Sequence, residues 1–111
     1  MIEKIVLDYL TEQLSVPVHV MQPEDAPDSY VLLEKTSGGE SDQVPTATIA
    51  IQSYGATLYQ ASSLNEEVKT AMKGIVSLDT IGRCHLDSDY NFTDLVRRRP
   101  RYQAVFSLRY Y

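Results

Sequence analysis

The side chains able to do acid–base, nucleophilic or metal chemistry are few: two histidines, His19 and His85, and one cysteine, Cys84, in 111 residues. Neither histidine has a cysteine or carboxylate at a recognised ligand spacing, so each reads better as a half-exposed strand residue than as a metal ligand or general base. Cys84 stands between Arg83 and His85, cations that lower a thiol pKa when they share its surroundings. Strand alternation puts both on the face opposite the sulfur, and a small core residue is the expected role. Asp87 and Asp89 fall two apart in the same predicted strand, sharing a face as an acid pair. A two-carboxylate mechanism also needs a cleft and further positioned groups, which nothing in the sequence suggests, so a solvated face is expected. Gly38-Gly39 is followed by neither a Lys-Ser/Thr pair nor a helix start, which makes it turn chemistry and no phosphate loop.

The most unusual local feature is Arg97-Arg98-Arg99-Pro100-Arg101. Two readings stand for it. One is a charged loop leading into an edge strand, where charge discourages aggregation. The other is a contact surface, whose guanidinium forks pair with acids of a neighbouring subunit or with phosphates. The acidic excess elsewhere in the chain favours a protein partner. Residues 1 to 96 hold five basic side chains against all fifteen acids, a net −10, whereas the remaining residues hold five arginines and no acid, a net +5. Such a two-ended molecule suits head-to-tail contact between copies or docking on a complementary partner. The overall charge of −5 argues against a general nucleic-acid binder. Eight tyrosines and no tryptophan supply large apolar surfaces with polar tips, a combination favoured at interfaces and also common in cores.

These residues are positioned by elements that hydrophobic spacing outlines. Ile2, Ile5, Val6, Tyr9, Leu10 and Leu14 recur at three- and four-residue steps and predict a first helix over 2–14, closed ahead of Pro17. Val16, Val18 and Val20 predict a short strand, QPEDAPDS a surface loop, and Tyr30 to Thr36 a strand buried on both faces. Ser37 to Pro45 (SGGESDQVP) reads as a flexible connection longer than a tight hairpin needs. Alternation over Thr46 to Tyr54 predicts the third strand, with Ala47, Ile49 and Ile51 on one side. Thr57 and Gln60 form a capping-box pattern that opens a helix whose apolar face is Ala61, Leu64, Val68, Ala71, Met72 and Ile75. Strands over Arg83 to Tyr90 and Tyr102 to Tyr110 follow, the second with Tyr102, Ala104, Phe106, Leu108 and Tyr110 on one face. The expected fold is a single α+β domain over 1–111, a mostly antiparallel sheet of about five strands with two helices on one face, in the order α-β-β-β-α-β-β.

With 43% hydrophobic residues at this length the chain can build one core of ordinary size. No apolar run approaches the roughly 20 residues that span a bilayer, so no membrane partner is expected. The segment MIEKIVLDYL has charges where a secretory leader is apolar, and a lone cysteine suits a reducing cytoplasm.

Several segments in this order resemble the tail terminator, or tail completion, proteins of long-tailed bacteriophages and prophages. They are the first helix, Val16-Pro17-Val18 leading into Asp28-Ser29-Tyr30-Val31, Ile49-Ala50-Ile51-Gln52-Ser53-Tyr54 before a helix, and Tyr90-Asn91-Phe92-Thr93-Asp94 followed by Pro100-Arg101-Tyr102. The resemblance covers most of the chain. It implies a structural virion protein and no enzyme, without cofactor, metal or catalytic residues. Copies would assemble as a ring, usually a hexamer, that caps the tail tube and joins it to the head. The partners implied are the chain itself, the tail tube protein and the head-tail connector protein. DNA would cross the hole without specific binding, and the protein would reside in the virion tail after assembly in the host cytoplasm. The candidate contact residues are the two polar loops, Ser37, Gly38, Gly39, Glu40, Ser41 and Asp42 in one, Asp94, Arg97, Arg98, Arg99 and Arg101 in the other. On this reading, charge reversal at Arg97, Arg98 and Arg99 weakens assembly and leaves the fold intact. The alternative is a small-ligand or regulatory binding module, since α+β sheets of this size hold metabolites between helix and sheet. An enzyme built on His85, Asp87 and Asp89 is the third and weakest option.

Overall fold

The computed structural model describes residues 1–111. Its elements are α1 (Ile2–Gln13), β1 (Val18–His19), β2 (Tyr30–Ser41), β3 (Val44–Tyr54), α2 (Leu58–Lys73), a 3-10 turn at Ile75–Ser77, β4 (Ile81–Asn91) and β5 (Arg101–Tyr110). The strands form one sheet in the order β1-β2-β3-β5-β4. All pairings are antiparallel except β1 with β2. This is the expected α+β class and element order. No helix is long and apolar enough to cross a membrane.

Burial explains the spacing. Ile2, Val6 and Leu10 stack at four-residue steps along α1, and Leu64, Val68 and Met72 do so along α2. Both stripes meet one sheet face made of Val31 and Leu33, Ala47, Ile49 and Ile51, and Ala104, Phe106 and Leu108. Each valine, leucine, isoleucine, methionine or phenylalanine among them contributes about 1.5–3 kcal/mol by leaving water. The start of α2 follows the predicted capping box: the Thr57 hydroxyl accepts from the Gln60 amide at 3.1 Å, and Gln60 Oε1 accepts from the Ala56 amide at 3.2 Å. Between β3 and this cap, Gly55 lies so close to α2 that an added Cβ would sit 2.5 Å from the Ala61 nitrogen.

Three expectations need correction. Ser37 to Pro45 is no flexible loop. β2 runs through Ser37, Gly38, Gly39, Glu40 and Ser41 and returns as β3 through a two-residue turn at Asp42 and Gln43, both at positive φ (51° and 65°). That is the backbone of a tight hairpin turn whose twist matches the strands, here formed without glycine at its tip. Second, β2 is buried only over its first residues and is exposed from Glu34 onward, because the helices cover just one end of the long hairpin. Third, the first strand shrinks to Val18–His19, leaving Val16 and Val20 outside the ladder.

The register of β4 corrects a fourth point. A bulge between Leu86 and Ser88 shifts its alternation, so Asp87 and Asp89 end on opposite faces. Asp87 accepts from the Ser107 hydroxyl on the helix-free face. Asp89 turns to α2, accepting from Asn65 Nδ2 at 2.6 Å and from Lys69 Nζ at 2.5 Å. Lys69 also meets Glu66 at 2.9 Å, as the helix spacing anticipates. The bond from Asp89, and then that from Glu66, pushes the lysine pKa up.

Candidate assembly surfaces

The sheet face without helices divides into two ends. At one end a second, polar cluster is built from β2, β3, β5 and the loops beside them. Tyr30 and Tyr54 are cross-strand partners, both fully buried, with rings 4.3 Å apart and nearly parallel at 8°. Gln22 links them, its Nε2 donating to Tyr30 Oη at 2.6 Å and its Oε1 accepting from Tyr54 Oη at 3.5 Å. Burial pushes the Tyr30 phenol pKa up. Next along the ladder Gln52 Nε2 donates to Gln103 Oε1 at 2.9 Å, and Gln103 donates to Tyr90 Oη. Buried amides and phenols survive in this cluster because each finds a partner.

The arginine segment closes this cluster. Arg99 lies over both tyrosine rings, 5.3 Å and 5.6 Å from their centroids, and its Nη2 donates to the carbonyls of Pro27 at 2.6 Å and Asp28 at 3.0 Å. Arg101 donates to Tyr54 Oη at 3.0 Å and to the Phe92 carbonyl at 2.6 Å, and its guanidinium stacks 4.3 Å from the Phe92 centroid. Asp94, 5% exposed, organises the turn. Its Oδ1 accepts from the amides of Val96 and Arg97 at 3.1 Å each, and its Oδ2 accepts from Arg97 Nη1 at 3.2 Å and faces Arg101 at 3.8 Å. Backbone bonds between Asp94 and Arg99, 2.9 and 3.0 Å, shut the loop at its base. The amide bond from Arg97 holds the Asp94 carboxyl below its ordinary range; burial opposes this, and the Arg97 side chain and the Arg101 charge reinforce it.

The arginines therefore split by role. Arg99 and Arg101 are tied within the chain, which corrects the expectation that reversing Arg99 leaves the fold untouched. Arg98, at φ 55°, is exposed, and Arg97 is half-exposed. Between Asp94 and this pair the pinned turn holds Leu95 and Val96 in solvent at 83% and 92% exposure. An apolar tip on a rigid base, beside the exposed Arg98 and an Arg97 paired with Asp94, has the composition of a contact surface.

The hairpin residues Ser37, Gly38, Gly39, Glu40, Ser41 and Asp42 lie at the far end of the sheet. β3 separates the two groups, running from the hairpin turn to Tyr54, which pairs with Arg101. At about 3.4 Å per residue that is on the order of 30 Å, in a molecule 42 Å long. The two predicted loops do not form one site. On the helix-free face beside the hairpin lies a polar groove of about 430 Å³ that includes Ser37, Gly38, Thr46, Arg83, His85 and Arg109. His85 Nε2 lies 3.8 Å from Asp87 there. His19 is remote, edge-on to the Tyr30 ring at 6.1 Å. Cys84 faces the helix side against the core, as alternation predicts, and burial, with the nearby Asp87 charge, pushes its thiol up to about 11.

Sequence reasoning missed the Gln22, Tyr30, Tyr54 and Gln103 cluster, the Leu95-Val96 tip and the pairing of Arg83 with Arg109. A signal for the first was present: Gln52 and Tyr54 alternate with Ile51 and Ser53 in a strand whose other face is core. Comparison with known proteins adds no identity, since no family model and no curated protein matches the chain.

Proposed function

We propose that this protein is a ring-forming structural subunit, of the kind that caps a bacteriophage tail tube and joins it to the head. The observation that carries the reading is the pair of open sheet edges. β4 is an outer strand along its whole length, and β2 is covered by β1 only at Val31 and Leu32, leaving Leu33 to Ser41 free on that side. Unpaired strand edges of this length are templates for another chain. β4 runs antiparallel to β5, and β2 parallel to β5 through β3, so the two free edges run in opposite directions. Copies related by a rotation about an axis along the strands then meet edge to edge in antiparallel register, with the same face inward. Contacts of this head-to-tail kind close into a ring when the rotation between neighbours is a whole fraction of a turn. The Leu95-Val96 tip adds an apolar anchor, and the exposed Arg98 beside it offers a cation to an acidic neighbour.

Mass photometry and negative-stain imaging over a range of concentrations, with and without tail tube protein, test this reading. Rings of uniform subunit number support it. A monomer at every concentration, with no association on adding tube protein, overturns it.

A further inference from the structure

Arg83 and Arg109 are directly opposed in the β4–β5 ladder and line the same groove on the helix-free face. Like charges placed opposite one another destabilise a sheet. Little within the chain offsets this one. Arg83 has no ion pair and no side-chain hydrogen bond, and Arg109 reaches only the Ser41 carbonyl at 3.2 Å and the Asp42 carboxylate at 3.9 Å. Asp42 is itself 93% exposed, so water screens that contact. The one acid in the groove, Asp87, already accepts from Ser107 and faces His85. Ser37, Gly38, Thr46 and Thr48 line the same groove, and only two of its thirteen lining residues are hydrophobic.

We propose that this groove is an oxyanion site that takes a phosphate-bearing ligand, with Arg83 and Arg109 as its paired forks. Guanidinium donors match phosphate oxygens two at a time, and two forks side by side address a pyrophosphate or adjacent phosphodiesters better than a single carboxylate. The hydroxyls supply further donors for a group with several acceptor oxygens. Bound phosphate also removes the repulsion that the free protein sustains. The site is independent of the assembly reading, because the face that bears it is not consumed by edge-to-edge pairing.

The test measures thermal unfolding of the whole protein against pyrophosphate at constant ionic strength, alongside fluorescence anisotropy of a labelled 12-base-pair DNA duplex. Arg83→Gln and Arg109→Gln serve as variants, with circular dichroism confirming their fold. Wild type shows a saturable rise in melting temperature with pyrophosphate, saturable binding of the duplex, or both. The first alone identifies a free phosphate compound, and the second alone a nucleic-acid backbone. Arg83→Gln without ligand melts no lower than wild type, and its half-saturation is weakened at least tenfold. The proposal is overturned if neither probe exceeds matched sodium chloride, or if both variants respond as wild type does.

Discussion

Replacing Asp94 is the sharpest test of the idea that the arginine loop is a pinned structure and no free tether. In Asp94→Ala the amides of Val96 and Arg97 lose their acceptor, but both lie on a surface turn where water replaces it. Arg97, 54% exposed, keeps most of its hydration. The decisive loss falls on Arg101, only 15% exposed, which keeps Tyr54 and Phe92 as acceptors but loses its nearest opposite charge. Removing one partner of a buried ion pair costs about 3–5 kcal/mol, and the surviving bonds to Arg101 bring the expected loss to about 2–3 kcal/mol. At about 4 °C per kcal/mol for a domain of this size, the melting temperature falls by roughly 8–12 °C. Asp94→Asn keeps an acceptor and loses the charge, so about half that fall is expected.

The pH dependence has a definite sign. The folded Asp94 carboxyl binds its proton more weakly than an unfolded one, whose pKa is about 3.9. Its stabilisation is complete above the unfolded value and is lost as pH falls through the folded value. The stability gap between wild type and Asp94→Asn, measured by urea unfolding, is therefore full at about pH 7 and shrinks below about pH 4. A fall of less than about 2 °C in Asp94→Ala, or a gap to Asp94→Asn that does not change with acid, would refute the reasoning.

The other expectations concern single residues. Arg99→Glu removes two carbonyl bonds and the cation above the tyrosine pair, costing about 2–3 kcal/mol in urea unfolding, whereas exposed Arg98→Glu changes stability by no more than about 0.5 kcal/mol and, on the proposed assembly, lowers the oligomer fraction seen by mass photometry. Gly55→Ala forces a methyl against the backbone of α2 at 2.5 Å, and a loss of at least about 2 kcal/mol in thermal unfolding is expected. Cys84, with its thiol near 11, has a thiolate fraction of about one in a thousand at pH 8, so iodoacetamide labels it on the order of a hundredfold more slowly in the folded protein than in urea, read by mass spectrometry.

Periodic segments were the legible part of this fold. The strand face Ala47, Ile49, Ile51 and the face Ala104, Phe106, Leu108 alternate cleanly because one side is buried under helices, and the Thr57–Gln60 cap marks its helix through local chemistry alone. Where the reading failed, the deciding interaction was long-range or lacked a characteristic residue. The hairpin turn uses Asp42 and Gln43 at positive φ, while the nearby glycines, which read as the turn, sit inside a strand. The bulge after Leu86 contains no glycine or proline, so nothing local announced that Asp89 would leave the face of Asp87. Arg99 reads as a loop charge until the chain brings Pro27, Tyr30 and Tyr54 beneath it from some seventy and forty-five residues away. Of the candidate contact residues, Asp94 was the one whose role as a turn organiser has a local cause, two amides within three residues.

The stacked rings of Tyr30 and Tyr54 also give the protein an optical property of its own. With eight tyrosines and no tryptophan, its near-ultraviolet dichroism arises chiefly from phenol chromophores, and such signals need a fixed asymmetric setting. Two phenols stacked 4.3 Å apart beneath a guanidinium make a coupled chromophore where the sheet meets the arginine loop. Any rearrangement of that pair is thereby reported by the spectrum of the unlabelled molecule.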